Sequence, residues 1–94
     1  MKQVSKEELS ILSNVDRNML LGEAMEIIID ENNYPLDQEE EYINLRNKMK
    51  GIQSFKNKFG LNEFIINKEK AFWLEFDEYM INKAYEIKIS QGTC

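Results

Sequence analysis

Between residues 38 and 59, Tyr42, Leu45, Met49, Ile52, Phe55 and Phe59 follow one another at spacings of 3, 4, 3, 3 and 4. That rhythm returns to one side of a helix at every turn and predicts a single amphipathic face. The first turn carries Glu39, Glu40 and Glu41, and the later turns carry Lys48, Lys50, Lys56 and Lys58. This order complements the helix dipole. Gly60 stands where a left-handed C-terminal cap belongs.

A second helix is predicted from about 67 to 88. Phe72, Trp73, Phe76, Tyr79, Met80, Ala84 and Ile87 share one broad arc, and Glu75, Glu78, Asn82 and Glu86 share the opposite one. The stretch before it, "LNEFIIN", is expected to be a short turn that carries Phe64, Ile65 and Ile66 into the core. Asn62 and Asn67 are both candidate caps. With a short link between them, the 38–59 and 67–88 helices should form an antiparallel αα-hairpin.

Upstream, Leu20, Leu21, Ala24, Met25, Ile27, Ile28 and Ile29 cover more than half of a helical circumference between about 14 and 31. An apolar arc that wide needs contacts on two sides. Ser5 lies three residues before Glu8, and Ser13 three before Asp16. Each pair has the spacing of a capping box. They predict a first turn or two to about Leu12 and then a new start; one continuous helix from Lys6 to Glu31 is the alternative. Asn32, Asn33 and Pro35 end this region, because proline disfavours an α conformation at Tyr34. Asp37 is then the expected cap of the next helix. The predicted fold is therefore all-α: one domain over 1–94, a small bundle of three to four helices, with the hairpin packed on the 14–31 helix.

Ninety-four residues with a single proline suit that architecture. A chain of this size buries roughly 60% of its unfolded surface, which sets a modest ceiling on stability. The net charge is −5. Nonspecific binding to DNA calls for the opposite sign, whereas an acidic surface suits a basic protein partner. The only cysteine is Cys94, so a disulfide framework within one chain is excluded and a cytoplasmic setting is expected. The driest run, Met19 to Ile29, is interrupted by Gly22, Glu23 and Glu26. No membrane span or signal peptide is expected.

Candidate chemistry is sparse. The chain has no histidine, which removes the usual acid–base group at neutral pH and the common zinc ligand. No phosphate-cradling glycine pattern is present. Glu23 with Glu26, and Glu75 with Glu78, have the three-residue spacing found in carboxylate-metal nucleotide hydrolases. Such pairs are also common on any solvated helix, and neither a metal nor another cofactor is expected. The basic residues from Arg46 to Lys70 offer a nucleic-acid alternative. A helix-turn-helix reading fails there, because its second helix would set Phe72, Trp73 and Phe76 in a groove that needs polar side chains.

Two surface features remain. Asp16, Glu23, Glu26 and Asp30, spaced 7, 3 and 4, form an acidic stripe that fits a partner with a basic surface. Leu74, Ile81 and Tyr85, spaced 7 and 4, form an apolar stripe on the flank of the last helix. Either the N-terminal helices cover that stripe or it is a homodimer seam. The functional expectation is a non-enzymatic protein-binding module, a small acidic regulator or inhibitor of the kind a phage or mobile element encodes.

Overall fold

The computed structural model describes residues 2–92. Cys94 lies outside them. The chain is all-α, with helices α1 (Lys6–Ser10), α2 (Asn14–Met25), α3 (Glu40–Phe59) and α4 (Glu63–Gly92). A π-helical segment, Glu26–Glu31, continues α2, and a short 3-10 turn, Leu36–Gln38, precedes α3. The described residues fall into two compact units: residues up to Tyr34 together with those from Leu74 onward, and residues 35–73. Helix α4 contributes to both.

In the first unit, local chemistry sets the starts. Ser5 Oγ accepts the Glu8 amide proton, and Ser13 Oγ accepts that of Asp16. The chain therefore breaks between α1 and α2 as the paired capping boxes predict, and the continuous-helix alternative falls. Asn33 closes the π segment in the left-handed region at φ 47°, which asparagine tolerates better than most residues. The Tyr34 amide donates back to the Ile28 carbonyl at 2.8 Å. Asn32 donates to the Ile27 carbonyl and accepts from Gln91. It thereby ties this exit to the end of α4.

Leu9, Ala24, Ile27, Ile28, Met80, Ile81 and Ala84 form the core of this unit. Each large side chain fully buried there contributes about 1.5–3 kcal/mol. The wide apolar arc predicted for the 14–31 helix is not buried throughout: Met25 and Ile29 are exposed. For Ile29 the reason is the wider π turns from Glu26, which rotate the following side chains out of the α period; Met25 precedes them, at the end of α2. The N-terminal segment is pinned to α4 by polar bonds. The Val4 amide donates to Asn82 Oδ1 at 2.8 Å and Asn82 Nδ2 donates to the Val4 carbonyl at 2.9 Å. The Lys6 amide donates to Glu78 Oε2 at 2.8 Å.

The second unit holds the hairpin. Helix α3 begins at Glu40 and has no side-chain cap; Asp37 lies in the preceding 3-10 turn instead. Its C-terminus is closed by Gly60, whose amide donates to Lys56 at 2.8 Å. Gly60 adopts φ 80°, ψ 178°. That is not the left-handed cap anticipated but a more extended conformation that essentially only glycine adopts. Helix α4 starts at Glu63, four residues earlier than expected, because Asn62 rather than Asn67 is the cap: its Oδ1 accepts the Ile65 amide proton at 3.0 Å. The anticipated turn through Phe64, Ile65 and Ile66 is thus the first turn of α4. Only Ile65 of the three is buried.

Side chains of α3 meet residues 63–73 of α4 across the short link. Phe55 meets Phe64 at 5.6 Å between ring centroids, and Lys56 pairs with Glu69 at 3.4 Å. Leu36, Leu45, Ile65 and Phe72 are buried in this unit. Trp73, expected in the core arc, is exposed on one face and stands edge-on to Phe72 at 5.1 Å.

Candidate functional site

Asp16, Glu23, Glu26 and Asp30 are all exposed. Among the described residues, none of the four carboxylates has an ion-pair partner. Asp16 sits in the first turn of α2, where the helix dipole favours a negative charge. Glu23, Glu26 and Asp30 have no such compensation and repel one another mildly.

The two carboxylate pairs occupy different surroundings. Glu23 and Glu26 are solvated, whereas Glu75 and Glu78 are part-buried. Glu78 already receives the Lys6 amide. Among the described residues, no three acidic, histidine or cysteine side chains come together in a way that could hold a metal ion.

The flanking stripe on α4 is not a continuous exposed face. Ile81 is 0% exposed, and Leu74 and Tyr85 are part-buried within the single chain. Ile81 therefore has no surface left for a second copy. The N-terminal segment is hydrogen-bonded beside it, through Val4 to Asn82 and Lys6 to Glu78.

One ionic feature escaped the sequence reading. Arg17 Nη2 donates to Asp77 Oδ2 at 2.7 Å, and the Asp77 carboxylate is buried. Burial pushes the Asp77 carboxyl above its ordinary range, and the hydrogen bond and charge of Arg17 only partly oppose that rise. A signal was present: Asp77 falls on the same helical face as Trp73, Met80, Ile81 and Ala84. An acid inside an apolar stripe implies a buried partner.

A concavity lies within the second unit. Lys48, Gly51, Ile52 and Phe55 of α3 face Phe64, Ile65, Lys68, Ala71 and Phe72 of α4 across a groove of about 340 Å³. It has this shape because Gly51 supplies no side chain and Ala71 supplies only a methyl. Aromatic side chains continue it toward the hairpin link. Phe55 packs on Phe59 at 4.6 Å and on Phe64 at 5.6 Å, yet the three are 40%, 60% and 56% exposed. Leu61 and Ile66 are exposed close by in sequence. Lys58 lies over the Phe59 ring at 5.7 Å and Lys68 over the Phe64 ring at 5.4 Å. The periodicity of α3 placed Phe55 and Phe59 on a buried face. That face in fact runs out of partners at its C-terminal end, because α4 starts just beyond it and covers it with only its first turns.

Compared with known protein families, curated protein sequences and solved structures, the chain finds no match, which leaves the side chains themselves as the ground for a functional reading.

Proposed function

We propose that this chain is a non-enzymatic protein-binding module, a small acidic regulator or inhibitor acting in the cytoplasm, and that its principal docking face is the groove between α3 and the start of α4. The observation that carries the reading is a set of three solvent-exposed phenylalanines, Phe55 packed against both Phe59 and Phe64, beside an apolar recess. Contiguous apolar surface of this kind is costly to leave wet and marks interaction sites. Aromatic side chains are also the residues that most often anchor protein interfaces. The exposed, unpaired carboxylates of Asp16, Glu23, Glu26 and Asp30 supply a second face for a basic surface on a partner. No helix among the described residues is long and apolar enough to cross a membrane, which is compatible with this role.

The test is an affinity capture from host lysate with three baits: the parent chain, Phe55→Ser/Phe64→Ser, and Glu23→Gln/Glu26→Gln/Asp30→Asn. The proposal expects one dominant protein on the parent bait, its loss with the phenylalanine variant, and weaker retention with the acidic-stripe variant. Retention of nothing, together with a Mg²⁺-dependent rise in melting temperature and nucleotide turnover, would overturn it in favour of an enzyme.

A further inference from the structure

Resting on the docking reading above, we infer that the groove receives one amphipathic helix of a partner protein whose positions flanking its apolar ridge are carboxylates. The charge around the groove carries this. The chain has a net charge of −5, yet from Arg46 to Asn62 it holds five cations and no carboxylate; Lys56 is paired with Glu69 of α4. Lys48 on α3 and Lys68 on α4 both line the recess and are exposed, one on each wall. A ridge of apolar side chains entering between them brings its own flanks within reach of both ammonium groups. Carboxylates at those flanks gain charge complementarity, whereas lysines there meet like charge.

The shape points to a helix. The recess runs between two helices, and side chains at i, i+3 or i+4, and i+7 of a third helix fill such a furrow as ridges fill grooves. Its volume, about 340 Å³, is at the low end of ligand-sized clefts, roughly 300–1,000 Å³. That is room for a few side chains.

Two other occupants fit less well. Nucleic acid bound without sequence preference stacks its bases on open ring faces. Here Lys58 and Lys68 already lie over Phe59 and Phe64, and Phe55 is tilted against both neighbouring rings, at 42° and 50°. A second copy could offer the acidic helix α2, but its apolar side chains Ala24, Ile27 and Ile28 are committed to its own core. Val15, Met19, Met25 and Ile29 stay exposed on this segment, and the sedimentation series below tests whether they seat on a second copy.

Trp73 is the only tryptophan, and it touches Phe72 in the groove wall, so its fluorescence reports occupancy. The full chain is titrated at low salt with a designed amphipathic peptide of about 16 residues, long enough to be helical once bound. The peptide has leucine on its ridge and glutamate at its flanks. Matched peptides carry glutamine or lysine at the flanks, and an oligothymidylate and a sedimentation series complete the set. The expected result is saturable binding of the glutamate peptide, with the glutamine peptide about tenfold weaker and the lysine peptide weaker still. Lys48→Glu/Lys68→Glu, both surface positions, should reverse that order while its circular dichroism matches the parent. Equal binding of glutamate and glutamine peptides would sink the acidic-helix inference and leave the docking groove standing. Binding of no peptide would remove both. An oligothymidylate that binds and displaces the peptide, or a mass that doubles with concentration, would replace the inference with nucleic acid or a second copy.

Discussion

Arg17 in α2 and Asp77 in α4, sixty positions apart, meet through a 2.7 Å bond between Nη2 and Oδ2. The carboxylate is almost inaccessible, while the arginine side chain is one-fifth exposed. Removing one partner from a buried pair leaves a charge that nothing compensates, which costs about 3–5 kcal/mol when both are fully buried. Water at the arginine end lowers that figure here. Arg17→Ala should therefore destabilise by about 2–3 kcal/mol, read as a lower urea midpoint with an unchanged slope. The double change Arg17→Met/Asp77→Leu should recover most of the loss, because apolar packing replaces a pair that was expensive to desolvate. A double variant as unstable as Arg17→Ala would mean that the pair contributes more than it costs.

The same carboxyl gives stability a particular pH dependence. Burial holds the folded pKa of Asp77 above the unfolded value, against the opposing pull of Arg17. The folded state then binds the proton more tightly than the unfolded state. The stability this lends is fully present below the unfolded pKa and is lost as pH rises through the folded one. Asp77→Asn has no such loss. The difference in unfolding free energy, variant minus parent, should drift in favour of the variant as pH is raised through that window. Urea melts at several pH values between about 3 and 7 read it directly; a drift of the opposite sign means that Arg17 outweighs burial.

How much of this was legible depends on whether the cause was local. Ser5, Ser13, Asn33 and Gly60 act on backbone within a few residues of themselves, and each marks an element boundary close to where its chemistry places it. The choice between Asn62 and Asn67 as cap was not local: it depends on Ile65 finding a buried site one turn into α4. The π segment left no mark in a pattern that was apolar on nearly every side. The acidic stripe was visible because solvated side chains need no partner to be placed. The groove was half visible. Its phenylalanines and lysines were read separately, as core and as phosphate contacts, because a period of 3.6 tells which side of a helix is apolar but not where the covering helix stops.

Ile81 separates a folding role from an association role. Its side chain is fully buried in the single chain, so Ile81→Ala should cost about 2–5 kcal/mol through lost burial and the cavity left behind. The sedimentation mass of the folded fraction should not change. Leu74→Ala and Tyr85→Ala, at part-buried positions, should cost less. If Ile81→Ala instead turned a dimer into a stable monomer, the stripe with Leu74 and Tyr85 would be a seam after all.

Neutralising the acidic stripe should not harm the fold. Glu23 and Glu26 are three residues apart, a spacing at which like charges repel by about 0.2–0.5 kcal/mol on an α-helix, and Asp30 follows them in the π segment. Glu23→Gln/Glu26→Gln/Asp30→Asn should melt at the parent temperature or slightly above it at low salt, and the gain should shrink as salt screens the repulsion. A clear loss of stability would mean that these carboxylates hold the chain together and are not free for a partner.

Gly51 ties stability and function together in opposite directions. It lies in the interior of α3 on the groove, and a Cβ built there meets nothing within 4 Å. Glycine in an exposed helix interior costs roughly 0.5–1 kcal/mol relative to alanine. Gly51→Ala should therefore raise the melting temperature by about 2–8 °C. The added methyl occupies space that a docking helix would use, and Gly51→Met occupies more of it. Both variants should bind the glutamate peptide more weakly than the parent, the methionine variant most, while both remain at least as helical. Such a trade would explain why a glycine sits where helix propensity argues against it. Gains in stability with undiminished peptide affinity would show that the docking helix does not reach this part of the recess.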